Sequence, residues 1–411
     1  MNRTPIIESV GSVPVWIEDF LKTDRCLLDY DPSESKSILD NTREDLTLDL
    51  YSPIGTCCFS SLDPSTEILW TDNEAVLLWD TNLVKKIEKC LIAAFDNSTV
   101  AYQSFTQSFA SILIEHAAKT GQFKLSLGLI NLLENMEAST LSALEIKNQE
   151  DYQRASTYIK PYLYCHEISH YNYRSVPDSK EEGLQLINLV METLFDPSNK
   201  ERLQDRIDEM EQFYSSVLGR NIELKNLNDM KPLFMEYFNT EASKEEVVCD
   251  MQAIRALVMQ HPRETVYQMS KFITGVVCLE MLSYFQVARI SIDLFAESNE
   301  TDRRQYLLSK RQNYLLGETE IRRQFLQSAW YGWSISAANA DNISFPKQLW
   351  RALLQVHIKQ FRITSLSIVT KLCCFQMFSD AVSLAERHYS QQDLTSSDFV
   401  YNKILSRFYE A

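Results

Sequence analysis

Tyr162-Leu163-Tyr164-Cys165-His166-Glu167-Ile168-Ser169-His170 is the stretch from which the rest of the chain can be read. No glycine interrupts Tyr162 to Arg174, and Pro161 fits the first turn of a helix or a kink within a longer one. On a helix, residues i and i+4 project from one face a turn apart, so His166 and His170 share a face. The composition extends the helical reading outward. Only 9 of 411 residues are glycine, where roughly 7% is usual, which fits poorly with Gly-rich phosphate loops or a tight-turned all-β fold. The expected fold is mainly α.

A chain that is 45% hydrophobic and 23% charged is a folded globular protein, long enough for a sizeable core without disulfides. A prior of roughly 150 residues per domain suggests two or three domains, or one large one with insertions. A formal net charge of −16 argues against a nucleic-acid binder, because affinity for phosphates needs an excess of Lys and Arg. The nine cysteines are odd in number and irregularly spaced, with no CxxC pair, so neither a disulfide framework nor a four-cysteine zinc site is indicated. The opening MNRTPIIESVGSVPVWIEDFL has acids at Glu8, Glu18 and Asp19, where a signal peptide needs apolar residues. The most apolar segment, Phe272 to Phe295, is interrupted by Glu280, Gln286, Arg289 and Asp293, short of the roughly 20 clean residues of a membrane span. A soluble, cytoplasmic protein is expected, with its oligomeric state open.

Along the chain, Leu46 to Leu50 alternates apolar and polar residues like a strand, and residues 67–70 and 75–79 read as a β-hairpin around Thr71 to Glu74. From Asn82 onward the pattern predicts helices over 82–96, 100–119, 123–137, 149–173, 180–196, 199–218, 229–239, 243–260, 264–296, 300–335, 346–361, 364–388 and 395–409, with PDSKEEG at 177–183 among the breakers. Cuts near 98 and 298 divide the chain into an N-terminal mixed region (1–98), a helical core carrying the chemistry (99–298) and a C-terminal helical region (299–411).

His166, Glu167 and His170 form HExxH. Both imidazoles can reach one metal ion, and the glutamate then sits beside the metal-bound water, where it can take a proton and pass it to the leaving amine. A catalytic zinc needs a third protein ligand and an open position. Ser243-Lys244-Glu245-Glu246-Val247-Val248-Cys249-Asp250-Met251-Gln252-Ala253 supplies a candidate, since Glu246 and Asp250 form ExxxD on one helical face. Ser243-x-x-Glu246 is also a capping box, in which Glu246 would reach back to the helix start. A start at Asn239 or Thr240 would free it for a metal. Glu245 and then Asp250 are the fallback ligands.

These motifs resemble the gluzincin class of zinc metallopeptidases, and within it the phage-exclusion (Lit-type) peptidases. They are more distantly similar to the CAAX-processing and HtpX-like proteases, which are membrane-embedded. The resemblance covers about a dozen residues and implies a helical zincin-like catalytic core. It implies zinc bound by His166, His170 and Glu246, with Glu167 as general base and Asp250 holding a ligand histidine. Ala253 matches the small residue of the EExxxDxxA form. For the residue that stabilises the oxyanion it leaves His261, Tyr267, Arg255 and Arg263, of which His261 and Tyr267 are retained as candidates.

Other features read as structural. Cys165 and Cys249 pack as small hydrophobes. The basic stretch with Arg303, Arg304, Lys310, Arg311, Arg322 and Arg323 reads as a solvated helix face. His116, His357 and His388 read as structural or exposed, and Trp330, Tyr331, Trp333 and Trp350 as packing the C-terminal helices. The functional expectation is a zinc-dependent endopeptidase acting on an intracellular protein. The alternative is a non-catalytic helical interaction or regulatory protein whose HExxH is accidental or vestigial.

Overall fold

The computed structural model describes residues 27–30, 55–61, 64–70, 75–96, 98–137, 149–195, 231–238, 240–259, 265–297, 317–330, 332–334, 347–390 and 396–408, with single residues at 229, 315, 392 and 394. The fold is mainly α with a small N-terminal sheet, as expected.

Four strands, β1 (Leu27–Tyr30), β2 (Gly55–Ser61), β3 (Glu67–Trp70) and β4 (Ala75–Asp80), lie in the order β1-β2-β4-β3. The hairpin of the sequence reading is β3 and β4, antiparallel with Ile68 opposite Leu77. β4 is buried at every position, as a central strand's continuous apolar run requires. β2 pairs with it in parallel and with β1 antiparallel. β2 falls inside the 45–80 stretch where a small sheet is expected, although GTCCFSS has no period-two alternation to mark it as a strand, and β1 lies before that stretch; the Leu46–Leu50 segment lies outside the described residues.

Helices follow: α1 (Thr81–Phe95), α2 (Thr99–Lys119), α3 (Phe123–Glu137), α4 (Gln149–Ser156), α5 (Ile159–Ser175), α6 (Pro177–Leu194), α7 (Lys231–Tyr237), α8 (Glu241–Met259), α9 (Thr265–Glu297), α10 (317–330), α11 (Lys347–Leu372), α12 (Phe375–His388) and α13 (Ser397–Phe408). Asp80 ends β4 and caps α1, its carboxylate accepting from the Asn82 N–H at 2.9 Å. Between α2 and α3, Gly121 takes φ +75°, the left-handed conformation that closes a helix at little cost to glycine.

Three boundaries differ from the sequence reading. The helix expected over 149–173 breaks into α4 and α5 at Thr157–Tyr158, because Pro161 has no N–H to give the Thr157 carbonyl. PDSKEEG opens α6 instead of interrupting it: Pro177 occupies the first turn, with Asp178 at its positive end. The break expected near 362–363 falls at Cys373–Cys374, where the chain bends by 57°. That bend lets α12 lie against α3, where a Cβ at Gly128 would fall 1.9 Å from the Ala381 carbonyl oxygen. The expected helix over 199–218 lies outside the described residues.

A large apolar core runs from Cys58 to Ile404 around α9, which packs on α1, α2, α4, α5, α8, α11 and α12. A smaller one joins Tyr173, Ile187, Phe234, Tyr237, Val247, Val248, Met251, Ile321 and Phe325. Helices α5 and α8 contribute to both and form the most extensive helix pairing among the described elements. Among the described residues one helix, Tyr267–Ala296, is long and apolar enough to cross a membrane, and 78% of its most apolar window is buried inside the protein. By length and composition it therefore qualifies, contrary to the expectation from its charges. Those charges are engaged within the fold: Asp293 meets His116 Nε2 at 2.8 Å, and Arg289 donates to the Pro64 carbonyl at 2.8 Å.

Of the other singled-out residues, His357 Nδ1 lies 2.8 Å from the Ala94 carbonyl oxygen and His388 is exposed against the Tyr389 ring. Trp330 packs on α9, with its indole N–H on the Gln268 carbonyl and its ring against Phe272, within the core that also takes in Ile358 and Phe361 of α11. Tyr331 and Trp350 carry no described side chain.

Candidate metal centre

Pro161 sits in the first turn of α5, where a missing N–H costs nothing, and the helix then runs unbroken through HExxH. His166 and His170 turn their Nε2 atoms toward each other, 3.2 Å apart. Two nitrogens on a tetrahedral zinc at its usual bond length would stand about 3.3 Å apart.

Glu246 completes the group from α8. Its Oε2 is 3.7 Å from His166 Nε2 and its Oε1 3.7 Å from His170 Nε2. One donor atom from each of His166, His170 and Glu246 lies within 4.8 Å of the others, a set able to hold a metal ion. The capping-box alternative for Glu246 fails because α8 begins two residues earlier than Ser243. Thr240 is the cap, its Oγ1 accepting from the Ser243 N–H at 3.1 Å. Glu246 is a turn inside the helix and partly exposed (34%), so the group opens to solvent on its side while His166 is buried.

Each histidine's other nitrogen meets a carboxylate. His170 Nδ1 is 2.7 Å from Glu245 Oε1, which also pairs with Arg174 Nε at 2.6 Å. His166 Nδ1 is 3.1 Å from Asp250 Oδ1, with the ring N–H angled off that line, so the contact is a close electrostatic one and not a straight hydrogen bond. Carboxylates behind the rings favour Nδ1–H and leave Nε2 with its lone pair. Glu245, a fallback ligand in the sequence reading, thus faces the back of a ligand candidate. Asp250, the other fallback, does the same for His166.

Asp250 is the most heavily bonded member. Arg322 donates to it through Nε at 2.7 Å and Nη2 at 3.0 Å, and the Tyr162 hydroxyl at 3.2 Å. Burial alone would raise its pKa, but Arg322 and His166 outweigh burial and hold the carboxyl well below its ordinary range. Glu245 is likewise pushed up by burial and carried below its ordinary value by His170 and Arg174. Burial would lower the Arg322 pKa, but Asp250 and Glu246 keep it well above the ordinary value, so the guanidinium stays charged. Burial, with Asp250 nearby, raises the Tyr162 phenol, which stays protonated and donates.

Glu167 is buried beside the group. Burial lifts its pKa to about 8, with His170 opposing and Glu246 and Glu67 of β3 adding to the rise. Without a metal the carboxyl therefore holds its proton at neutral pH. Around it the carboxylates of Glu245, Glu246 and Asp250 face the guanidiniums of Arg174 and Arg322, leaving an excess of negative charge for a cation.

Arg322 was read as part of a solvated basic face; it and Arg323 are instead buried, Arg323 pairing with Glu320. Nothing local could have signalled this, because Arg322 is 72 residues from Asp250. Tyr162 and Arg174 were legible in principle, lying one turn before His166 and one turn after His170. Of the oxyanion candidates, Tyr267 lies on α9 with the Arg154 guanidinium 5.2 Å above its ring, and Arg255 lies over Trp333. His261 and Arg263 lie outside the described residues. Cys165 and Cys249 are buried thiols, raised by burial, as packing residues should be.

The chain matches no protein-family model, no curated protein and no solved structure. The geometry of the group is what a functional reading has to rest on.

Proposed function

We propose that the protein is a zinc-dependent endopeptidase of gluzincin type, with a helical zincin-like catalytic core, acting on a protein substrate in the cytoplasm. One observation carries the reading. Two histidine Nε2 atoms and a glutamate carboxylate converge from two packed helices, and both histidines are backed by carboxylates. A shared cation accounts for two imidazole Nε2 atoms facing each other at the spacing of two zinc ligands, each ring backed by a carboxylate.

His166, His170 and Glu246 would hold zinc, which when bound acts as a Lewis acid on water and on the scissile carbonyl. Glu167, between the two histidines in sequence, accepts the proton of the attacking water and delivers it to the leaving amine. A nearby cation favours the ionised carboxylate, so the burial that raises Glu167 in the metal-free protein is offset when the centre is filled. Asp250 and Glu245 fix the tautomer and orientation of the two histidines.

A peptide substrate is supported by the sheet. β3 is one of its two outer strands and packs beside α5, and among the described residues no strand pairs with its other edge. Such an edge takes an extended peptide by main-chain hydrogen bonds.

The deciding experiment uses Glu167→Gln. This variant should fold and bind zinc as the wild type does, while cleavage of proteins trapped from lysate falls roughly 100- to 10,000-fold. Identical fragments at identical rates from wild type and variant would end the peptidase reading. A second reading is favoured by the contact of Arg322 Nη2 with Glu246 Oε2 at 2.8 Å. In it the group is a buried ion-pair network of a non-catalytic interaction protein, and purified protein contains no zinc.

A further inference from the structure

We propose that Arg322 is a positioning residue of the metal centre, its guanidinium selecting Glu246 over Asp250 as the third ligand and fixing the orientation of both. The inference rests on the zinc reading above.

Glu246 and Asp250 lie one turn apart on α8, and a single guanidinium spans them. Nε meets Asp250 Oδ2 at 2.7 Å, while Nη2 meets Asp250 Oδ1 at 3.0 Å and Glu246 Oε2 at 2.8 Å. Asp250 Oδ1 already faces Tyr162 and His166, so both of its oxygens are committed to donors. A carboxylate saturated in this way is a poor metal ligand and a good acceptor behind an imidazole. Glu246 has only Oε2 engaged by Arg322, which leaves Oε1, on the His170 side, for a metal. Ligation through one oxygen keeps the coordination number low and a position open.

The helix that carries Arg322 is itself anchored, so the fork is held in register. On α10, Glu320 pairs with Arg323 and with Arg362 of α11, the latter at 2.9 Å. Arg362 also approaches Glu280 of α9 at 3.4 Å. Ile321 and Phe325 pack into the smaller core with Val247, Val248 and Met251 of α8. The charge of a lysine could balance Asp250, but a lysine has no planar fork with which to bridge two carboxylates.

The test compares full-length wild type, Arg322→Lys and Arg322→Gln. Zinc affinity is measured by competition with a chromophoric chelator, and the visible spectrum is recorded with cobalt(II) in place of zinc. Arg322→Lys is the decisive variant, because it keeps a positive charge among the carboxylates and so protects the fold. Wild type should bind one zinc and give the intense bands of four-coordinate cobalt. Both variants should lose roughly 10- to 100-fold in zinc affinity, with weaker, shifted cobalt bands as Glu246 or Asp250 changes its ligation. If Arg322→Lys keeps wild-type affinity and an unchanged cobalt spectrum, Arg322 is a structural counter-ion and the proposal is overturned. If wild type itself binds no zinc, the metal reading fails and takes this role with it, an outcome distinguished by the wild-type arm alone.

Discussion

His166 turns one ring nitrogen to His170 Nε2 at 3.2 Å and the other to Asp250 Oδ1 at 3.1 Å, so a single imidazole joins the proposed metal position to a buried carboxylate. That carboxylate in turn is gripped by Arg322 from α10. The centre is therefore built by three helices, of which the sequence motifs name two.

The first prediction concerns metal content. Purified protein should carry about one zinc per chain by elemental analysis. His166→Ala and His170→Ala should lose it, and Glu246→Ala should bind it more weakly. Full zinc in either histidine variant would put the metal elsewhere.

Glu245 should matter through His170 and not as a ligand. Glu245→Ala frees His170 Nδ1 and removes the ion pair between Glu245 and Arg174. Zinc affinity should fall roughly 10- to 100-fold while the stoichiometry stays the same. A chelator titration reads both quantities, and loss of stoichiometric binding would make Glu245 a ligand after all.

The α8 cap gives a control that separates folding from metal binding. Thr240→Ala should cost about 1 kcal/mol in urea unfolding, the usual value for a lost N-cap, and leave zinc affinity unchanged. Equal zinc loss in Thr240→Ala and Glu246→Ala would mean that metal binding reports helix stability alone.

Breaking the buried pair by Asp250→Asn leaves Glu246 as the ion-pair partner of Arg322 among the described residues. A buried pair missing one partner typically costs about 3–5 kcal/mol, so a large drop in the unfolding midpoint is expected even without metal. A near-neutral result would mean that Arg322 reaches solvent when Asp250 is gone.

Glu167 sets a pH dependence in the chelator-treated protein. Its folded pKa, about 8, lies above the ordinary 4.5, so between these values the folded state binds the proton that the unfolded state has lost. Stability from this group is present below about pH 4.5 and is lost as pH rises toward 8. Metal-free Glu167→Gln should therefore gain stability relative to wild type as pH goes from 5 to 8. Other groups titrating there act equally on both proteins. Parallel melting-temperature profiles would show that Glu167 is not desolvated as described.

The sequence by itself determined the helical class, the β3–β4 hairpin and the two motifs on helices. Glycine scarcity, apolar periodicity and i,i+4 spacing are local properties that do not depend on the rest of the chain. It also carried the alternatives for Glu246, but the choice between cap and ligand turned on where α8 starts. Thr240, Ser243 and an earlier asparagine were all acceptable caps, and only packing picks one. The parallel β2–β4 pairing and the Cys373–Cys374 bend were equally hidden, since each is set by contacts between segments distant along the chain. Arg322 is the sharpest case. In sequence it belongs to a basic run of the kind usually found on a solvated face; in the fold it is buried against Asp250 and Glu246. A charged side chain enters a core only where opposite charges already wait for it, and those charges come from a helix 72 residues upstream. Local pattern can say which residues are able to bind a metal, but which carboxylate is free to do so is decided by what else the tertiary structure brings to it.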